Sequence, residues 1–394
     1  MNLRTLKDIK KFHGVRVLLR VGMDLPLSDS KKVDDISRIA LGLPTIKYLI
    51  QKKAVTIIVN HFGRPENSEE YLRNDIIAKK LSALLKKKVK KLDAIHGKDV
   101  DLAVKNARPG EVLMLENIRF DKGEKKNDLS LSKKLASLAD IYVNDAFSNS
   151  HRNHSSMVGV THFLPSYAGL TVEKEARELS AILENPKRPL LAIIGGAKAE
   201  TKLGVIKTFL NHADNVLVGG ALANTILKAK GVSVGKSMVD DEKISEMKKV
   251  FLTNVKLHLP VDVAVGNRLN KKVKAVVKAA GNVSDHEYIL DIGRDTIKLY
   301  ESAIKKAKTI VWNGPLGLIE YPEFREGTKR IIESLLKSKA KVIIGGGDSI
   351  KVVNMFAKKD VSAYRHIYVS SGGGAMLKFF ENSKLPALVP LIKK

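Results

Sequence analysis

Short apolar segments that end directly in glycine clusters are the feature of this sequence that most limits its possible folds. They recur five times after residue 185 and read LLAIIGG, NVLVGG, TIVWNGPLG, KVIIGGG and HIYVSSGGG. Each segment has the length of a buried strand, and helix-length segments lie between them. Because strands that alternate with helices form parallel sheets, the pattern predicts a parallel α/β fold.

The first half of the chain shows the same alternation but follows its strands with basic side chains. Predicted strands cover residues 15–21, 55–60, 111–116 and 140–144. His61 and Arg64 come after the second strand, Arg119 after the third and Arg152 after the fourth, and Arg38 lies in the helix after the first. Arginine presents a permanently charged planar fork that suits carboxylate or phosphate. This half is therefore predicted to bind a small polyanion.

Ligands bind at the carboxyl ends of parallel strands, which share one edge of a sheet. Glycines at that edge let a ligand approach backbone N–H groups and helix N-termini, which suit phosphate. The second half is therefore predicted to bind a nucleotide. Two such ligands suggest a transfer reaction, with domain closure that excludes water.

A change in pattern near residue 170 predicts the domain organisation. The segment TVEKEARELSAIL reads as a helix, and the sequence NPKRP ends it. We predict two doubly wound parallel-sheet, Rossmann-like domains over residues 1–170 and 186–375. A hinge helix over 171–185 joins them, and a tail over 376–394 packs back on the first domain.

Composition limits the classes of function. The chain of 394 residues has no cysteine, which excludes disulfides and thiol catalysis and fits a cytoplasmic protein. A formal net charge of +27 attracts anions, but aromatic residues make up only 5%, whereas proteins that bind single-stranded nucleic acid use aromatic stacking. No apolar run reaches the roughly 18 residues that a membrane span needs, and no signal peptide is recognisable.

Nine segments together resemble the phosphoglycerate kinase family. They occur in the family's order and cover nearly the whole chain: RVGMDLPL (20–27), DDISRIALGLPTI (34–46), NHFGRP (60–65), LENIRF (115–120), VNDAFSNSHRNHSS (143–156), GGAKAETK (195–202), WNGPLGLIEYPEF (312–324), IIGGGDS (343–349) and SSGGGA (370–375).

The resemblance implies reversible phosphoryl transfer between 1,3-bisphosphoglycerate and ADP, giving 3-phosphoglycerate and ATP, by a monomeric glycolytic enzyme that uses Mg²⁺. It implies that the glycerate is held by Asp24, Arg38, His61, Arg64, Arg119 and Arg152. It implies that the nucleotide is held by Gly195, Gly196, Lys198, Lys202, Gly219, Gly220, Asn313, Leu316, Glu320, Gly346, Gly347, Asp348 and Ser349. Arg38, Lys198 and Gly373 would act on the transferred group, and Asp348 would hold Mg²⁺.

The first loop departs from the family pattern. Members of the family usually have an aspartate and an asparagine, which hydrogen-bond the glycerate, where this chain has Gly22 and Asp24. If nothing compensates, we expect glycerate binding to be weaker by on the order of 1–3 kcal/mol. Alternatively, Asp24 takes over the role of the missing acid.

Other interpretations stay open at the level of sequence. Asp348 could serve as a helix N-cap, and His61 could be a loop histidine that fixes the backbone at Arg64. A nicotinamide-dependent dehydrogenase would also have glycine-rich strand ends, but no G-x-G-x-x-G motif opens a helix after the first strand of either half. The net charge leaves a basic nucleic-acid-binding or moonlighting role on the same fold as the alternative function.

Overall fold

The computed structural model describes residues 1–27, 36–197, 200, 202–251, 254–270 and 273–393, with backbone only at 249–251, 348 and 362. These residues divide into two compact units. Unit 1 is Met1–Ser180 with Asn382–Lys394, and unit 2 is Ala181–Glu381. No helix in the described part of the chain has both the length and the apolar character needed to cross a membrane.

Unit 1 is built on a parallel sheet with the strand order β3-β4-β2-β1-β5-β6. Its strands are β1 Arg16–Val21, β2 Val55–Val59, β3 Val89–Lys91, β4 Val112–Met114, β5 Ile141–Asp145 and β6 Ser166–Ala168. Its helices are α1 Ser37–Gln51, α2 Asp75–Leu85, α3 Lys98–Lys105, α4 Gly123–Lys126 and α5 Leu129–Ser137, and α6 Leu170–Glu184 contains the boundary between the units.

The central strands of unit 1 are buried on both faces. In β1, Val17 and Leu19 belong to one apolar cluster, and Leu18 belongs to the cluster on the other side of the sheet. Ile58 and Ile57 of β2 divide between the two clusters in the same way. This double burial explains why parallel strands read as continuous apolar runs.

The C-terminal segment belongs to unit 1 by its hydrogen bonds. Arg4 donates its backbone N–H to the Leu391 carbonyl at 2.7 Å, and Ala387 donates to the Ser150 carbonyl at 3.1 Å. The Lys393 ammonium pairs with the Asp8 carboxylate at 2.9 Å. The last residues of the chain therefore complete the unit that its first residues begin.

Unit 2 is built on a second parallel sheet with the order β15-β14-β13-β7-β8-β9, and beside it lies an antiparallel sheet with the order β11-β10-β12. Its strands are β7 Leu190–Ile194, β8 Asn215–Val218, β9 Leu257–His258, β10 Asp262–Gly266, β11 Val276–Ala279, β12 Tyr288–Ile292, β13 Thr309–Asn313, β14 Lys341–Gly345 and β15 Ile367–Val369. Its helices are α7 Leu203–His212, α8 Gly220–Ala229, α9 Ile244–Phe251, α10 Arg294–Lys306, α11 Glu326–Lys337, α12 Gly347–Phe356 and α13 Gly373–Asn382.

The five glycine-terminated segments form neighbouring strands of the parallel sheet in unit 2. These are β7, β8, β13, β14 and β15, so their glycines follow the carboxyl ends of the strands along one edge. The expected parallel α/β fold is thereby confirmed in both units. The antiparallel sheet was not predicted: β11 is largely exposed and carries no apolar run, and Asp262 and Asp291 interrupt the apolar runs of β10 and β12.

Candidate active site

The loop after β1 presents Gly22 and Asp24 on its accessible face. Val21, Met23 and Leu25 are buried, whereas the two residues between them are only half-buried. The Met23 N–H donates to the side-chain oxygen of Asn60 at 2.9 Å, which ties the loop to the end of β2. Residues 22 and 24 therefore face the same side at the carboxyl edge of the sheet.

His61 lies buried between Arg20 and Asp24. A guanidinium nitrogen of Arg20 is 3.0 Å from His61 Nδ1, and His61 Nε2 is 3.4 Å from Asp24 Oδ2. A guanidinium can only donate, so Nδ1 accepts and the ring proton sits on Nε2, directed at Asp24. Burial, together with the charges of Arg20 and Arg119, lowers the pKa of His61 to about 4, so the ring is neutral at pH 7.

The Asp24 carboxylate is compensated on several sides. Its Oδ1 accepts the Gly63 N–H at 2.8 Å, and its Oδ2 is 3.8 Å from an Arg38 nitrogen. Arg38 also donates to the Asp24 carbonyl. Burial by itself would raise the pKa of Asp24, but the hydrogen bonds from His61 and Gly63 and the charge of Arg38 lower it to about 2. Asp24 is therefore ionised and holds Arg38 beside the loop.

Arg119 extends the cationic group. It donates to the Gly63 carbonyl at 2.5 Å, on the same loop whose N–H binds Asp24. Burial and the nearby charge of Arg152 lower the pKa of Arg119 to about 10, which leaves it charged at pH 7. Arg64 follows Gly63 directly, and its side chain is exposed. We call Arg20, Arg38, Arg119 and Arg152 the arginine cluster.

Arg20 and Glu124 are members of this site that sequence reasoning missed. The Arg20 side chain is buried and donates through Nε to Ser156 Oγ at 2.9 Å. Glu124 is also buried and accepts the Ser156 N–H at 2.9 Å, and His154 Nδ1 lies 3.5 Å from its carboxylate. A charged residue inside the apolar run RVLLRV was the available signal, because an arginine in a central strand needs buried partners.

The His154 ring therefore contacts the Glu124 carboxylate. Among the described residues, no group of three or more His, Asp or Glu side chains could hold a metal ion.

The first glycine segments of unit 2 pack backbone against backbone. A β-carbon on Gly220 would lie 2.9 Å from the Gly196 nitrogen, and one on Gly219 would lie 2.6 Å from Leu316 Cδ2. Gly220 also donates its N–H to the Leu316 carbonyl at 2.9 Å. The structure therefore brings together Gly196, Gly219, Gly220 and Leu316, which were predicted as nucleotide-binding residues. Leu316 itself is buried.

Lys202 lies within this packing. Its side chain is buried and donates to the Gly195 carbonyl. A β-carbon on Gly196 would lie 2.5 Å from the Lys202 ammonium, and one on Gly314 would lie 2.7 Å from it. The absence of side chains at these glycines makes room for the Lys202 ammonium.

The glycines at the starts of α12 and α13 have two different environments. Gly346 has φ 101°, a conformation that side-chain-bearing residues rarely adopt, and Gly373 packs on the Gly346 backbone. Gly347 and Gly374 are exposed, and a β-carbon on either would meet no atom within 4 Å. In each pair one glycine is required by packing, and the other borders open space.

The remaining predicted residues of unit 2 vary in placement. Asn313 is buried and donates to the Gly345 carbonyl at 2.7 Å, while Glu320 is exposed in a turn. Ser349 Oγ donates to the Gly345 carbonyl at 2.9 Å and accepts the Gly314 N–H at 2.8 Å. Lys198 and the side chain of Asp348 lie outside the described residues.

These features define a class: a protein of two parallel α/β units, one with an arginine cluster and the other with helix N-termini opened by glycine at the sheet edge. The family model described as phosphoglycerate kinase matches residues 6–383. The chain therefore belongs to the phosphoglycerate kinase family, and it is a phosphotransferase. The family, the fold class and the enzyme class predicted from the sequence are confirmed.

Similar proteins match along their whole length. The phosphoglycerate kinase of Dictyoglomus turgidum is 41% identical over 398 residues, covering 99% of each chain. That of Nostoc sp. is 42% identical over 386 residues, covering 96% of each. Among solved structures, phosphoglycerate kinase from Coxiella burnetii matches with a TM-score of 0.87 at 36% identity, and that from Pyrococcus horikoshii OT3 with 0.85 at 33%. Each covers 99% of this chain and 98% of its own.

Proposed function

We propose that the chain transfers a phosphoryl group reversibly from 1,3-bisphosphoglycerate to ADP, giving 3-phosphoglycerate and ATP, with the glycerate held by unit 1 and the nucleotide by unit 2. The observation that carries the first assignment is the arginine cluster around the Asp24 loop. The activity of the family, which uses ATP and ADP in glycolysis, supports the assignment of this reaction.

The charges of unit 1 suit a ligand with a carboxylate and a phosphate. Arg38 is 46% exposed at its side chain, so its guanidinium is accessible although Asp24 orients it. Arg64, Arg119 and Arg152 provide further forks for oxyanions. Because His61 is neutral and its Nε2–H faces Asp24 Oδ2 at 3.4 Å, we assign it the role of orienting Asp24, and through it Arg38, rather than that of carrying charge.

The glycine edge of unit 2 suits a nucleotide. Helices α12 and α13 begin at Gly347 and Gly373. As at any helix N-terminus, their first N–H groups have no hydrogen-bond acceptor within the helix. Such ends favour phosphate. The exposed Gly347 and Gly374 leave space for that approach, and we propose that Leu316 with Gly219 and Gly220 borders the base.

Phosphoryl transfer depends on positioning and on neutralising the charge that spreads over the transferred group, more than on acid–base chemistry. We propose that Arg38 supplies such charge and that N–H groups at Gly373 orient the group. The same role for Lys198 rests on the sequence, as does the expected domain closure.

Asp348 is the proposed Mg²⁺ ligand. It is the second residue of α12, and a carboxylate is the hard oxygen donor that Mg²⁺ favours. Mg²⁺ held there would neutralise negative charge on the nucleotide phosphates. Both hydrogen bonds of Ser349 are made within the protein, so we propose that Ser349 fixes the ends of β13 and β14 rather than binding the ion. We further propose a monomeric, cytoplasmic enzyme.

Steady-state kinetics in the ATP-consuming direction, with Arg38→Ala compared with Arg108→Ala, test the assignment of unit 1. Arg108 is an exposed arginine of the same unit and provides a charge-matched control. We expect Arg38→Ala to lower kcat/KM for 3-phosphoglycerate by about 10- to 100-fold, as loss of a charge-assisted hydrogen bond predicts. The KM for ATP should not change. Equal behaviour of the two variants would remove the support for a glycerate site in unit 1.

A further inference from the structure

Ser148 occupies the space that a side chain at Gly22 would fill. A β-carbon on Gly22 would lie 2.9 Å from Ser148 Oγ and 3.7 Å from the side-chain oxygen of Asn149. The first distance is shorter than the contacts that β-carbons make in real structures. The position at which the family usually carries an acid is therefore filled here from another element by a hydroxyl group.

The fold brings this hydroxyl to the carboxyl edge of the sheet. Strands β1 and β5 are parallel neighbours, with Val21 opposite Asp145, so the chain after β5 runs beside the loop after β1. Ser148 lies in the 3-10 turn Phe147–Asn149 and is half-buried, between two buried neighbours. Ser148 is thus held between buried neighbours and is itself partly exposed, beside the face shared by Gly22 and Asp24.

The hydrogen bonding of Ser148 leaves it as an acceptor. Its hydroxyl donates to Asn149 Oδ1 at 3.3 Å, and a serine hydroxyl has a single proton to donate. The lone pairs of Ser148 Oγ are then available to a donor from outside the protein. A carboxylate at position 22 would also have acted as an acceptor, so the type of hydrogen bond is preserved.

The presence of a hydroxyl group instead of an acid also fits the charges around the loop. Asp24 is ionised, and His61, Gly63 and Arg38 compensate it. A second carboxylate at position 22, beside Asp24, would add a negative charge next to an anionic substrate, whereas a hydroxyl adds none.

We propose that Ser148 Oγ is the substrate-binding acceptor for the glycerate 2-hydroxyl, in place of the acid that Gly22 lacks. This inference rests on the proposed binding of the glycerate in unit 1. It assigns recognition of the hydroxyl group to the turn after β5 and leaves Asp24 to orient Arg38.

Binding measurements with two ligands test the proposal. Affinities of 3-phosphoglycerate and of 3-phosphonooxypropanoate, which lacks only the 2-hydroxyl, are determined by isothermal titration calorimetry for the full chain, Ser148→Ala, Arg38→Ala and the exposed-serine control Ser137→Ala. We expect Ser148→Ala to weaken 3-phosphoglycerate binding by about 3- to 10-fold, as loss of one hydrogen bond predicts, and to leave the deoxy ligand unchanged. Ser137→Ala should change neither.

The outcomes separate this proposal from the one on which it rests. If Arg38→Ala weakens both ligands but Ser148→Ala weakens neither, or weakens both equally, the role of Ser148 is refuted and the glycerate site stands. If Arg38→Ala weakens neither ligand, the glycerate site in unit 1 is refuted.

A second pair of variants tests whether Ser148 occupies the space that a side chain at position 22 would need. Gly22→Asp alone should weaken 3-phosphoglycerate binding, because its side chain meets the Ser148 hydroxyl. In Gly22→Asp/Ser148→Ala the contact with the Ser148 hydroxyl is removed, so Gly22→Asp should weaken binding less in the Ser148→Ala background than in the unmodified chain. An identical effect of Gly22→Asp in both backgrounds would overturn the exchange.

Discussion

His61 has its protonation state fixed by its two neighbours. Arg20 requires an acceptor at Nδ1, and Asp24 requires a donor at Nε2. A protonated ring would direct a second N–H at the Arg20 guanidinium, inside a buried site. The neutral tautomer is therefore part of how the Asp24 loop and Arg38 are positioned.

The contribution of His61 to the stability of the protein should be lost as the pH falls through the range in which the folded state keeps its ring neutral. The pKa is about 4 in the folded state against the ordinary value of 6.5, so the unfolded chain binds more protons between these values. The contribution of His61 is complete above pH 6.5 and is lost as pH falls to 4, amounting to about 3 kcal/mol. The pKa of Asp24, at about 2, places its own contribution below this window.

Urea denaturation of the unmodified chain and of His61→Gln at pH 4, 5, 6 and 7 measures this effect. Glutamine offers an acceptor to Arg20 and a donor to Asp24 but does not titrate. We expect the variant to lose less unfolding free energy than the unmodified chain between pH 6.5 and 4. The same loss in both proteins would show that His61 is not held neutral by the fold.

Residue types were predictable from the sequence, but their partnerships were not. Arg38, His61 and Arg119 were found because each follows a strand end. That His61 orients rather than carries charge depends on Arg20, which lies inside a strand and which only the fold places beside the imidazole ring. The role of Asp24 likewise depends on the Gly63 N–H, which is distant in sequence.

Among the elements, the starts of α12 and α13 show that adjacent glycines can have different functions. Gly346 precedes α12 with a positive φ and lies against Gly373, whereas Gly347 borders open space. The sequence predicted one reason for all such glycines, which was the approach of a ligand. The structure adds a second reason, because strand ends and helix starts in this sheet approach one another too closely for side chains.

Alanine substitutions at this pair should separate folding from ligand binding. Gly346→Ala forces a side chain into a strained conformation, and we expect it to lower the unfolding free energy by about 1–3 kcal/mol. Gly347→Ala should leave the thermal midpoint unchanged but weaken ADP binding by about 5-fold, because the added methyl group obstructs the approach of phosphate to the backbone N–H groups at the start of α12.

Differential scanning calorimetry and titration with ADP measure the two effects. Unchanged ADP affinity in Gly347→Ala would exclude the N-terminus of α12 from the nucleotide site. Unchanged stability in Gly346→Ala would contradict the strain inferred from its backbone.

At the scale of the whole molecule, the sequence predicted the strands of the parallel sheets. Strands buried on both faces leave continuous apolar runs, so most strands of the two parallel sheets were located to within a few residues. The antiparallel sheet of unit 2 was missed because its strands have no such run: β11 is largely exposed, and Asp262 and Asp291 interrupt the apolar residues of β10 and β12. The net charge of +27 fits the anionic ligands of the family.

The central claim is that this chain transfers the γ-phosphoryl group of ATP to the carboxylate of 3-phosphoglycerate. Incubation of the protein with [γ-³²P]ATP, Mg²⁺ and 3-phosphoglycerate, with hydroxylamine present to trap the acyl phosphate, measures this transfer directly. We expect ADP formation that requires 3-phosphoglycerate and equals the hydroxamate produced. ADP formation without 3-phosphoglycerate, or none in its presence, would contradict it.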